Sequence, residues 1–128
     1  MAAINPRGLK AQAYYNHAKI RPGRPVFPTG QVAWDENGEV VGVGDIDAQV
    51  AQVYRNIGLL LEGLGAVPDD VVKTVTYVTD TGFAAAIHRG RLAFFAGCDL
   101  PASTLVEVAA LADPRLLIEI DLVVMVAD

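Results

Sequence analysis

Apolar residues occupy every second place over residues 118–126, as Ile118, Ile120, Leu122, Val124 and Val126. This period puts them on one face of a β-strand and gives that face to a core. The opposite face carries Leu117, Glu119, Asp121, Val123 and Met125. Two carboxylates among apolar neighbours are out of place on the wet face of a monomer. They fit a face that another subunit covers, with a pocket left where the acids lie. A second strand-like run, residues 103–110, precedes it.

Upstream the periods change. Residues 1–12 show none and read as a loosely specified arm. A short strand is predicted over 14–19, then a turn at 21–25, where two prolines and a glycine remove donors and permit sharp bends. Residues 26–34 read as a strand interrupted by Pro28 and by Thr29-Gly30-Gln31. Asn37-Gly38 is a hairpin signal, so residues 39–43 are expected to return antiparallel. Val50, Val53, Ile57, Leu60, Leu61 and Leu64 then recur at three- and four-residue steps, a helix capped by Asp45 or Asp47 and closed by Gly63 or Gly65. Residues 71–79 are β-branched and aromatic, hence a strand. A second helix is expected from Asp80 or Thr81 to Gly97, with Phe83, Ile87, Phe94 and Phe95 on its buried side.

The resulting order, β-β-β-α-β-α-β-β, contains two crossovers that lay both helices on one face of a mixed sheet, an α+β fold. Nothing else in the chain is left to cover the other face. The 128 residues suit one domain that buries roughly two-thirds of its unfolded surface. A hydrophobic share of 52 % is high for a monomer and points again to assembly. The net charge of −5, with no basic cluster, disfavours nucleic acid as a partner. No apolar run approaches the ~20 residues that span a bilayer, and no signal-peptide core is visible. With Cys98 as the only cysteine, an internal disulfide is impossible, and a cytoplasmic location is expected.

Few residues carry chemistry. Glu119, desolvated by its neighbours, would have a raised pKa and could move a proton; the alternative is a structural carboxylate at an interface. Asp121 shares its face and is expected in an interface salt bridge. His88 lies in the helical segment Ile87-His88-Arg89-Gly90-Arg91, where it could titrate near neutrality, and the two arginines could form an anion site or only a charged surface. His17 is a weaker pocket candidate, and Trp34 reads as packing. His17, His88 and Cys98 lack metal-ligand spacing, and Gly42 and Gly44 lack a phosphate-loop pattern, so neither metal nor cofactor is expected.

The ordered set Thr29-Gly30-Gln31, Asn37-Gly38-Glu39, residues 52–61, residues 71–74 with 77–80, Phe94-Phe95, Pro101-Ala102, residues 106–109 and Ile118-Glu119-Ile120-Asp121 resembles the RidA (YjgF/YER057c/UK114) family. The resemblance runs from about Tyr15 to Val126. It implies a chorismate-mutase-like fold in a homotrimer, whose sheets pack as a central barrel with small-molecule pockets at the subunit interfaces. Members of its best-known branch hydrolyse reactive enamines and imines such as 2-aminoacrylate. There a glutamate on the last strand positions water, a loop carbonyl and a tyrosine orient the substrate, and an arginine grips the substrate carboxylate.

Carried onto this chain, the resemblance assigns catalysis to Glu119 and substrate binding to Tyr15, Gly30, His88, Ser103, Thr104 and Leu105. The arginine is missing. Ser103 stands in its place and is too short to replace a guanidinium fork, while Leu105 stands where the family has cysteine. The expected function is a deaminase-like hydrolase of a reactive imine or enamine other than the 2-aminoacrylate type. The alternative is a trimer that binds a ligand without catalysis. Ribonuclease activity, also attached to this family, is disfavoured by the acidic charge.

Overall fold

The computed structural model describes residues 3–128. Strand β1 (Ala3–Ile4) pairs antiparallel with β2 (Ala18–Lys19) as a small sheet of its own. Part of the expected arm is thus anchored, and the strand expected over 14–19 shrinks to its last two residues. The reason is local: the His17 backbone N–H is taken by the Asn5 side chain at 2.9 Å, and Asn5 also donates to Asn16 at 2.9 Å.

The main sheet contains β3 (Arg24–Val26), β4 (Gln31–Val32), β5 (Val71–Val78), β6 (Ala102–Glu107) and β7 (Ile118–Val126). Its order is β3–β7–β5–β6, with β4 also on β7; β5 and β6 are parallel and the other pairings antiparallel. The mixed sheet is as expected, but the two closing strands are not neighbours. β7 runs through the middle, and β6 forms an edge. β6 also stops at Glu107, short of the expected residue 110.

The strand expected over residues 39–43 is reduced to one bridge, Trp34 with Val40. Asn37-Gly38 does turn, with Gly38 at φ 78° and Asp35 Oδ1 accepting from the N–H groups of Asn37 and Glu39 at 2.9 and 3.0 Å. The chain then leaves the pairing direction at Gly42 and Gly44, both with positive φ, which only glycine adopts cheaply.

Helix α1 (Ile46–Leu64) begins at Asp45, whose side chain accepts from Ala48 N, and ends at Gly65 in the left-handed region, φ 66°. The second helix is shorter than expected. Asp80 caps a single 3₁₀ turn, Thr81–Phe83, before α2 (Ala84–Phe94) begins. Val50, Val53, Ile57 and Leu61 of α1, Ile87 of α2 and the adjoining Phe95 join Ile118, Ile120, Leu122 and Val124 in one buried cluster. The helices approach closely because Gly90 faces Val50 and Tyr54; a Cβ there would collide with Val50. Gln49, wholly buried, ties the start of α1 to the approach to β7. Its amide donates to Gly42 O (3.1 Å) and Arg115 O (2.8 Å) and accepts from Leu117 N (2.8 Å).

Candidate active site

Glu119 and Asp121 stand on the sheet face opposite the helices, beside Tyr77 and Val75 of β5, their register partners. All four are half-buried, whereas Ile118, Ile120 and Leu122 of the other face are buried. What brings backbone onto the acids is a bulge. Between the pairs Val26–Val124 and Gln31–Ile120 the chain takes five steps against four on β7. The extra residue lifts 27–30 out of register. Gly30 then lies over both carboxylates: a Cβ added to it would overlap Glu119 Oε2 and come within 2.9 Å of Asp121 Oδ1. Glycine is required here by close approach.

The Glu119 carboxyl is held above its usual pKa, first by desolvation and second by the charge of Asp121. Tyr77, Ala110, Leu111, Ala112, Glu119 and Asp121 line a recess of about 380 Å³. Asp121, expected in a salt bridge between subunits, has no cationic partner within its own chain among the described residues. Within the chain its charge acts on Glu119. Lys73 of the same face instead donates to Thr104 at 3.0 Å, which places Thr104 on the acid side of the sheet.

Ser103 and Leu105 point the other way. Ser103 accepts from Thr74 Oγ1 at 3.0 Å, and their strands keep Thr74 beside Ser103 and Thr76 beside Leu105 on the helix-covered face. Above that face α2 presents His88 and Arg91, and Arg91 Nη2 donates to Thr76 Oγ1 at 3.3 Å. Tyr14 lies flat on the His88 ring, with centroids 3.8 Å apart and planes at 2°. Burial, then the charge of Arg91, lowers the His88 pKa, favouring the neutral ring.

The expected site residues therefore fall into two groups. Gly30, Glu119 and Thr104 share the uncovered face; His88, Ser103 and Leu105 share the helix side. The tyrosine against His88 is Tyr14. Tyr15 instead meets His17 edge-on at 5.7 Å, and the His17 Nε2 lies 2.6 Å from Lys10 O, which ties both to the N-terminal loop. Trp34 is 40 % exposed beside the Thr29-Gly30-Gln31 loop, so it is less a packing residue than its sequence context suggested.

A mixed sheet with two helices on one face, and a glycine bulge over an acid on the other, defines an α+β protein of the RidA kind. The family model described as Endoribonuclease L-PSP matches residues 6–126. A crystal structure of YyfB from Yersinia pestis, described as a Rid-family protein of unknown function, superposes with a TM-score of 0.91 at 40 % identity, covering 97 % of each chain. A RutC family protein of Synechocystis sp. is 34 % identical over 110 residues, 85 % of this chain and 83 % of that protein. The 2-iminobutanoate/2-iminopropanoate deaminase of Salmonella typhimurium is 33 % identical over 91 residues, 70 % of each. The chain belongs to the RidA/YjgF family. Among the described residues no helix is long and apolar enough to cross a membrane.

Proposed function

We propose that this protein is a RidA-type hydrolase that releases ammonia from a small reactive imine or enamine, acting as a homotrimer with its sites at the subunit interfaces. The observation that carries this is Glu119, a half-buried carboxyl with a raised pKa beneath the Gly30 backbone, on the sheet face opposite both helices. Such a group can take a proton from water as the water oxygen bonds to the imine carbon. That proton, passed to nitrogen, gives the carbinolamine, and transfer of its hydroxyl proton to the amine through the same carboxyl forms the carbonyl as the C–N bond breaks. Imine and water become carbonyl compound and ammonia, with no cofactor needed. The Gly30 carbonyl and a tyrosine, Tyr14 by its position, orient the substrate. The similarity to a named imine deaminase supports the reaction class.

The division of the candidate residues supports the assembly. Ser103 and Glu119 lie on opposite faces of one sheet, so one ligand can meet both only where two chains abut. The exposed residues Phe27 and Val106, at 74 % and 37 %, with half-buried Val75, Val123 and Met125, give the uncovered face an apolar surface suited to other copies. Ser103 in the arginine's place predicts weak turnover of 2-aminoacrylate and 2-iminobutanoate. A reducing cytoplasmic setting suits the free Cys98.

The test combines mass and complementation. Light scattering should give three times the chain mass. Glu119→Gln and His88→Ala proteins, each assayed alone and after unfolding and refolding together, should regain activity only when mixed. Monomers, or mixtures no better than the sum of their parts, count against a shared site. A second reading, ligand binding without catalysis, is favoured by the absence of a guanidinium at Ser103; it predicts no ammonia release from any imine offered to the native protein.

A further inference from the structure

Arg91 is 2 % exposed, yet among the described residues no carboxylate pairs with it. Its Nη2 makes the 3.3 Å bond to Thr76, while Nε is buried without a partner. His88 Nδ1, one turn earlier on α2, is a further buried polar atom without a partner and feels the charge of Arg91, and the Tyr54 hydroxyl of α1 faces the guanidinium as a neutral neighbour rather than a counter-ion. A guanidinium is a cation in proteins. A buried cation without a counter-ion is costly, and buried charges are found paired. Arg89, its neighbour on the helix, is already bound to Asp47 at 2.9 Å on the surface. The counter-ion that fits is small and separate.

The nearest edge of the sheet lies close by. Thr76, which Arg91 touches, is the register partner of Leu105, and Thr74 is that of Ser103. Both partners sit on the sheet's edge strand, where Leu105 is 37 % exposed and Ser103 half-buried.

We propose that Arg91 is the anion receptor of the interface site, taking a ligand carboxylate that enters past Ser103 and Leu105, with His88 as a second polar partner. The inference deepens the hydrolase proposal and rests on it only for the reacting end of the ligand. Depth sets the ligand class. The guanidinium lies beneath β5, one strand inward from the edge, whereas the attacking acid comes from the opposite face of another chain. In 2-iminobutanoate the carboxylate is bonded to the reacting carbon, too close to occupy both places. A carboxylate separated from the C=N group by a spacer of two or more carbons reaches both. The ligand class is therefore anionic and longer than the short imino acids.

The test uses stable keto analogues, 2-oxobutanoate and 4-oxopentanoate, titrated by calorimetry onto the native protein and onto Arg91→Gln, Arg91→Lys and Glu119→Gln. The native protein should bind 4-oxopentanoate at least tenfold more tightly than 2-oxobutanoate. Arg91→Gln should lose at least tenfold for 4-oxopentanoate, and Arg91→Lys severalfold, because it keeps the charge but not the fork. Equal binding of the two ketones, no binding of either, or unchanged affinity in Arg91→Gln overturns the proposal. Should Arg91→Gln fail to assemble at native size, Arg91→Lys decides, and unchanged affinity there overturns it as well. Glu119→Gln separates the two claims. It should keep the chain-length preference while losing turnover; retained turnover in it would remove Glu119 from the chemistry, and no turnover by the native protein would remove the hydrolase reading, each leaving the anion site standing.

Discussion

Replacing Arg91 by methionine should make the ligand-free protein more stable, against the usual direction for a buried residue. The side chain is 2 % exposed, holds one 3.3 Å hydrogen bond, and leaves Nε unpartnered. A buried donor without a partner costs about 1–3 kcal/mol, and the lost bond to Thr76 is worth about 1 kcal/mol. Desolvation of an unpaired charge adds several kcal/mol more in principle, and replacing buried charges by apolar side chains of similar volume has stabilised proteins by about 1–4 kcal/mol. Methionine keeps the unbranched stem against its neighbours. The net expectation is a gain of about 1–3 kcal/mol. For a chain of this length that is roughly 3–5 °C in Tm per kcal/mol. Calorimetric or circular-dichroism melts at fixed protein concentration, with and without 4-oxopentanoate, provide the assay. Arg91→Met should melt higher than the native protein without ligand and show no ligand-induced rise. A Tm several degrees below native would refute the reasoning, because it would mean the guanidinium already has its counter-ion within the fold.

Three other changes test separate links. Gly30→Ala places a Cβ on the Glu119 carboxylate, so turnover should fall at least tenfold while the far-ultraviolet spectrum stays native; undiminished turnover would show that the carboxylate moves aside freely. Asp121→Asn removes the charge that helps raise the Glu119 pKa, so the inflection of the pH–rate profile assigned to Glu119 should move to lower pH. The same raised pKa means that the fold disfavours the Glu119 anion. Its cost to stability is absent below the ordinary glutamate pKa, grows as pH rises, and is complete above the folded value. Glu119→Gln should accordingly raise Tm at pH 7 but not at pH 4, and a pH-independent difference would contradict the shift. Gln49→Ala strips three hydrogen bonds from partly buried backbone and should cost about 2–4 kcal/mol in urea titrations, with a loss under about 1 kcal/mol counting against its clamp role.

What the sequence reveals about this fold is what short periods encode. The α1 stripe, its Asp45 cap and its glycine stop are local signals, and all three hold. The alternation of β7 is local as well, and its buried face is the one expected. Strand neighbours are set by distant pairings, so nothing in the two closing runs shows that β5 lies between them. The hairpin after Asn37-Gly38 dissolves because Gly42 and Gly44 turn the chain before a second strand can pair. Tyr14 and Tyr15 are adjacent in a loop without a period, and only the stack on His88 tells them apart.

The bulge that sets Gly30 on Glu119 is a register difference between two strand pairs, invisible in either segment alone. Glu119 itself was legible as an acid on an apolar face, and its raised pKa is the one that setting predicts. Arg91 carried a usable signal. It lies four residues after Ile87 and four before Phe95, on the buried stripe of α2, where an arginine is out of place. Arg89 lies off that stripe and is exposed.

The central claim is that Glu119 carries out imine hydrolysis at a site shared between chains. Ammonia release and ligand affinity, measured side by side on native and Glu119→Gln protein, test it most directly. The imines would be generated in situ by an amine oxidase, with oxygen as the oxidant, from amines bearing a distal carboxylate. The account predicts that the native protein accelerates ammonia release, and that Glu119→Gln loses at least a hundredfold in rate while binding 4-oxopentanoate within threefold of native. Equal rates for the two proteins, or no acceleration by the native one, would contradict it.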